Sequence, residues 1–173
     1  MARAFDEKKI KKLKEEVCEA NLELASQKLV IYTWGNVSGM LREEKLVAIK
    51  PSGVPYEKLI PDMMVVLDLD GSIVEGDYNP SSDTPTHLEL YRGFPEIGGV
   101  AHTHSTYATA WAQAKKNIDC FGTTHCDYFY HEIPCTPELT AEEINGDYEL
   151  NTGKAIVRTM RDKDYNSMPG ILV

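Results

Sequence analysis

The sequence predicts an α/β layered sandwich with an antiparallel or mixed sheet, and three observations lead there. Residues 5–27 carry one helical apolar stripe. Several short runs rich in branched residues follow, and two of them are separated only by Asp70-Gly71. Helical patterns then recur later in the chain. A doubly wound parallel sheet needs a crossover helix between successive strands, whereas a two-residue connection closes an antiparallel hairpin.

The elements follow in order. In residues 5–27, Ile10, Leu13, Val17, Ala20 and Leu24 recur at three or four residues, and Asp6 is placed to cap the start. Residues 29–33 and 45–49 read as strands, the second stopped by Pro51. Residues 63–69 and 72–74 flank the Asp70-Gly71 turn. Residues 84–94 read as a helix with Pro85 in its first turn. Residues 98–103 read as a buried strand. Residues 105–116 read as a helix with Ala108, Trp111, Ala112 and Lys115 in periodic positions. Thr140 and Glu143 form a capping box, and residues 151–161 a late helix. Residues 168–170 make a turn, after which Ile171, Leu172 and Val173 begin an apolar strand.

Length and composition bound the function. The 173 residues suffice for one domain with a real core, and 42 % apolar with 26 % charged residues is a globular profile. No apolar run approaches the roughly 20 residues that span a bilayer. The charged amphipathic N-terminus contains no hydrophobic signal core, so a cytoplasmic protein is expected, with no membrane partner. The net charge of −9 argues against nucleic acid, because no basic face could displace counterions from phosphates. A single phosphorylated metabolite needs only a local nest of N–H groups and a lysine. The four cysteines, Cys18, Cys120, Cys126 and Cys135, form no C-x-x-C and are expected as reduced thiols. Cys120, His125, Cys126, His131 and Cys135 cluster in sequence, but their gaps miss the usual spacing of a structural zinc site.

Five segments could carry chemistry. His102 and His104 lie two apart on a strand, so both imidazoles can face one ion; they can equally be two satisfied histidines at a strand end. Ser81-Ser82-Asp83-Thr84 precedes a helix, where Asp83 or Thr84 can act as a cap, the serine hydroxyls suit a phosphate, and Asp83 could approach a metal. Gly35-Asn36 and Lys50-Pro51-Ser52-Gly53 read as turns whose glycines let backbone N–H groups approach a phosphate, with Lys50 adding positive charge. Asp127 sits among aromatic residues, where partial burial would raise its pKa for proton transfer; it can equally be a surface aspartate near a turn.

Taken together, residues 33–38 (TWGNVS), 49–53 (IKPSG), 80–87 (PSSDTPTH), 99–105 (GVAHTHS), 122–125 (GTTH), 127–130 (DYFY) and 143–146 (EING) resemble the class II aldolase family, and within it the L-ribulose-5-phosphate 4-epimerases. The resemblance runs from about residue 13 to Val173. It implies a three-layer α/β/α sandwich with a central, largely antiparallel sheet, usually assembled as a homotetramer. It further implies a metal site in which His102, His104 and Asp83 take part, holding zinc, with manganese or cobalt suited to similar ligands. Gly35, Asn36, Lys50, Ser52, Gly53, Ser81 and Ser82 match the segments that hold the substrate's phosphate end, and Asp127 matches one of two acid/base residues.

The implied reaction interconverts L-ribulose 5-phosphate and D-xylulose 5-phosphate by breaking and re-forming the C3–C4 bond, in an arabinose or ascorbate route. The family's aldolases typically carry glutamate where this chain has Asp83. The resemblance also places a third histidine, in another H-x-H, directly after Val173, and a later tyrosine as the opposite acid/base. The sequence is therefore expected to lack the C-terminal part of a single domain. His125 and His131 do not fall at the missing ligand's position. The alternatives are a sugar-phosphate aldolase and a non-catalytic module of the same fold.

Overall fold

A computed structural model describes residues 5–173; residues 1–4 of the expected amphipathic N-terminus lie outside them. The chain divides into two compact units, one ending at His104 and the other Ser105–Val173.

The first unit opens with α1 (Glu7–Ser26). Asp6 caps it as expected, its Oδ1 accepting from the amides of Lys8 at 3.0 Å and Lys9 at 3.3 Å. The stripe Ile10, Leu13, Val17 and Leu24 is buried. Five strands then form one antiparallel sheet: β1 (Asn36–Leu41), β2 (Leu46–Ile49), β3 (Val65–Asp68), β4 (Ile73–Glu75) and β5 (Gly99–His102). Their order is β4-β3-β2-β1-β5. Helix α2 (Thr84–Gly93) lies between β4 and β5 in sequence, with Pro85 in its first turn.

Strand β2 lies at the centre and is fully buried, and its period of two sorts its side chains. Leu46 and Ala48 join Met64, Val66 and the α1 residues Ile10, Leu13, Val17 and Cys18 on one face. Val47 joins Met40 with Leu88 and Tyr91 of α2 on the other. Helices thus cover both faces, which gives the expected three layers within this unit.

Two strand expectations and one turn reading need correction. Residues 29–33 form a turn, not a strand, and Tyr32 takes a positive φ of 54°. The strand instead begins at Asn36, where a glycine-containing motif reads as a turn in isolation. The strand read over 98–103 is β5, an edge strand with Gly99 and Ala101 exposed, so it is not buried. An apolar run marks a buried strand only when neighbours cover both its faces, and β5 pairs on one side alone.

In the second unit, α3 (Thr106–Gln113) and α4 (Thr123–Cys126) precede α5 (Ala141–Asn145) and α6 (Tyr148–Met160). The capping box is present: Glu143 N donates to Thr140 Oγ1 and Thr140 N to Glu143 Oε2. Ala155, Ile156, Met160, Met168 and Leu172 are buried. Ile118 pairs with Ile133 in an antiparallel bridge, and Cys135 with Leu172 in a parallel one. No helix of the described residues is long and apolar enough to cross a membrane.

Candidate functional site

Sheet register assembles the site at one end of the first unit. Asn36, the first residue of β1, is the antiparallel partner of His102, the last residue of β5. Beyond β2, Pro51 bridges to Pro80, Ser52 N donates to Asn79 O at 2.9 Å, and Ser81 N donates to Lys50 O at 3.0 Å. Four segments distant in sequence are thereby tied together: Gly35-Asn36, Lys50-Pro51, Ser81–Asp83 and His102.

Their polar groups converge on one carboxylate oxygen. Asp83 Oδ2 accepts from Asn36 Nδ2 at 2.5 Å and from His102 Nδ1 at 2.9 Å. Asn36 Nδ2 also donates to Ser81 Oγ at 3.0 Å. Asp83 therefore makes no side-chain cap for α2, contrary to the capping alternative. Burial would push its carboxyl up, but the His102 hydrogen bond and charge, with the Asn36 bond, outweigh this and bring it down to about 2. In the neutral tautomer that donates Nδ1–H to this carboxylate, the histidine lone pair lies on Nε2, the form in which a histidine binds a metal.

His104 stands beside it, the two ring centroids 4.8 Å apart. Its amide donates to Leu29 O at 2.9 Å, and its ring lies 5.6 Å from that of Trp34. Burial, then the neighbouring His102, pushes the His104 imidazolium down, which favours the neutral form.

Two buried polar groups lack full partners. Asn36 is 2 % exposed, and its Oδ1 has no hydrogen bond. Lys50 is also 2 % exposed. Among the described residues, its Nζ donates only to Pro51 O at 3.3 Å, and it lies 4.9 Å from the centroid of the Tyr56 ring. Burial pushes its ammonium down, and Asp83 partly restores it. A buried cation without a paired carboxylate favours an anionic ligand.

Gly35 is required locally. Its φ is +82°, and a Cβ there would lie 2.5 Å from Val30 Cγ1 and 2.8 Å from the His102 carbonyl oxygen. Gly53 has φ +68° with open space around it. Ser52, Gly53 and Ser82 are exposed, and none joins the Asp83 hydrogen-bond cluster.

Sequence reasoning missed the supporting residues. Tyr56 Oη donates to Gly35 O at 2.7 Å and Trp34 O at 3.1 Å, holding that turn. Asn21 of α1 is fully buried and clamps Val37, accepting from its amide at 2.8 Å and donating to its carbonyl at 2.9 Å. Behind the site, Ser38 Oγ lies 2.7 Å from His87 Nδ1 and 2.8 Å from Tyr91 Oη. The period-two rule on β1, which puts Ser38 on the face of Asn36, was the available signal for Ser38.

Asp127 lies in the second unit, at the C-terminal end of α4. The expected partial burial is not found: Asp127 is exposed, because Tyr128 and Tyr130 are themselves 71 % and 65 % exposed. His125 Nε2 donates to His131 O at 2.7 Å. Among the described residues, no group of three or more His, Cys, Asp or Glu is arranged to hold a metal ion. What fits an ion is the imidazole pair, with a carboxylate bonded to one member.

Residues 15–173 match the family model described as Class II Aldolase and Adducin N-terminal domain. Among solved structures, an L-fuculose 1-phosphate aldolase is 28 % identical with a TM-score of 0.72, over 84 % of this chain and 67 % of its own. YgbL from Escherichia coli is 23 % identical with a TM-score of 0.67, over 87 % and 69 %. A sugar-phosphate aldolase from Thermotoga maritima is 16 % identical with a TM-score of 0.67, over 90 % and 80 %. The last two likenesses concern the fold alone.

Proposed function

The chain belongs to the class II aldolase and adducin N-terminal domain family, and on that premise we propose that it breaks and re-forms the carbon–carbon bond between the carbons α and β to the carbonyl of a phosphorylated ketose. The finer reading is a 4-epimerase interconverting L-ribulose 5-phosphate and D-xylulose 5-phosphate. The observation that carries it is the Asp83–His102 hydrogen bond of 2.9 Å beside the His104 ring. The shorter aspartate stands where the family's aldolases typically have glutamate.

In this reading, Lys50, Asn36 and the hydroxyls of Ser52, Ser81 and Ser82 receive the phosphate end, with backbone N–H groups approaching at Gly35 and Gly53. His102 and His104 would hold a divalent ion (zinc, manganese or cobalt), with Asp83 orienting His102 or joining as a ligand. When bound, such an ion supplies Lewis-acid stabilisation of negative charge on the ketose oxygen.

The hydrogen on C4 is not acidic, so direct proton removal there is unfavourable. A base instead takes the C4 hydroxyl proton, the C3–C4 bond breaks, and its electron pair remains on the ketone fragment as an enediolate. The aldehyde fragment turns, the bond re-forms on its other face, and the proton returns. Asp127 is the candidate carrier of that proton. Its carboxylate is exposed.

The second reading is an aldolase that releases the aldehyde, and the 28 % identity to the L-fuculose 1-phosphate aldolase favours it. Incubation with L-ribulose 5-phosphate and zinc, followed by NMR, separates the two. D-xylulose 5-phosphate without accumulating glycolaldehyde phosphate supports the epimerase. Persistent free aldehyde from this or another ketose phosphate supports the aldolase. No turnover of any ketose phosphate, with no zinc bound by calorimetry, leaves a non-catalytic module of this fold.

A further inference from the structure

Of the four cysteines, two meet. Cys120 Sγ and Cys126 Sγ lie 3.1 Å apart, both exposed, about 1 Å beyond a bonded S–S length of ~2.05 Å. Cys18 is buried in α1, and Cys135 is half-buried with its Sγ 3.9 Å from Ala112 O. The near approach is built by the backbone. Gly122 adopts a fully extended conformation and starts the single turn of α4, which returns Cys126 towards Cys120. Asp127 N and Phe129 N donate back to Thr123 O at 3.0 Å and His125 O at 2.9 Å, and His125 Nε2 donates to His131 O. The two sulfurs are thus held in position by bonds that do not involve them.

We propose that Cys120 and Cys126 are a modification site that forms a reversible intramolecular disulfide by exchange with a small-molecule disulfide of the oxidised-glutathione class. One cysteine thiolate attacks the small disulfide, forming a mixed disulfide and expelling one thiolate. The other cysteine attacks the protein sulfur of that mixed disulfide and expels the second. Overall, two cysteine thiols and one small disulfide become one protein disulfide and two small thiols. The cysteines lose two electrons and two protons, and the small disulfide gains them. Exposure of both sulfurs gives the oxidant access, and their proximity makes the second step intramolecular. The contact with Cys120 pushes the Cys126 thiol up, so the exchange runs faster as the pH is raised.

The bridged ring ends on the residue before Asp127. Oxidation therefore ties the backbone beside the group given a proton-transfer role above. That consequence rests on the proposed function, whereas the bridge does not, so the test reads mass rather than turnover.

The unmodified chain is equilibrated in glutathione buffers from fully reduced to fully oxidised. Free thiols are then blocked with N-ethylmaleimide, and the product is digested with chymotrypsin. Cleavage after Phe121 and within Tyr128–Tyr130 puts Cys120, Cys126 and Cys135 in three different peptides. The expected result at the oxidising end is the Cys120 and Cys126 peptides joined, lighter than their sum by two hydrogens and separated by reductant. C120S and C126S, both at exposed positions, lose the joined species and carry one glutathione on the remaining thiol. The proposal is overturned if both thiols still take up N-ethylmaleimide at the oxidising end. It is equally overturned if the joined peptides include Cys135.

Discussion

Asp83 stands at the start of α2, where a carboxylate would ordinarily cap the helix, yet its Oδ2 is held by Asn36 and His102. D83N keeps the shape and removes the charge. His102 then has at best a neutral amide oxygen in place of its charged acceptor, and zinc affinity measured by calorimetry is expected to fall about 10–100-fold; unchanged affinity would remove the Asp83 charge from any role at the site. His87, one helical turn on, is 1 % exposed, and burial pushes it from 6.5 to about 4. The unfolded chain therefore binds this proton first on acidification. The contribution of neutral His87 to stability is complete above 6.5 and is lost as the pH falls to about 4. At ~1.4 kcal/mol per pH unit the loss is of order 3 kcal/mol. Urea midpoints at neutral pH and near the lower end of that window should differ accordingly, and equal midpoints would show that His87 is not held neutral. Asp83, at about 2 against 3.8, adds a further loss only below that window.

At the scale of elements, α1 and β1 are the pair on which the site depends, because Asn21 reaches from the helix to Val37 beside Asn36. Gly39 permits that approach: a Cβ there would lie 2.8 Å from Val17 Cγ2 and 3.0 Å from Leu13 Cδ1. G39A forces those side chains aside, and a destabilisation of about 1–3 kcal/mol is expected in chemical denaturation. The clash is with side-chain ends, so the fold should persist, and an unchanged midpoint would show that α1 shifts freely. Helix α1 was legible because its stripe and its cap are both local. Strand β1 was not, because Gly35 and Asn36 favour turns and the pairing that makes Asn36 a strand residue comes from His102 of β5, distant in sequence.

At the scale of the whole molecule, a net charge of −9 and a pI near 5.0 set long-range behaviour. At neutral pH and physiological salt the chain should pass through a heparin column unretained. Retention there would reveal a basic face that the composition does not provide. A phosphorylated ligand must instead be met locally, at a point such as the buried Lys50. The sequence by itself determined the layered α/β class, the capped first helix, the antiparallel hairpin at Asp70-Gly71 and the family, because each rests on residues close together along the chain. It also marked His102 and His104 as a pair. Only the tertiary structure decided that Asp83 joins His102 rather than capping α2, that Asn36 and Lys50 are buried without full partners, that Asp127 is exposed, and that Cys120 faces Cys126. Those facts depend on which side chains the sheet register and the turns bring within a few ångströms, and spacing along the chain carries no measure of that distance.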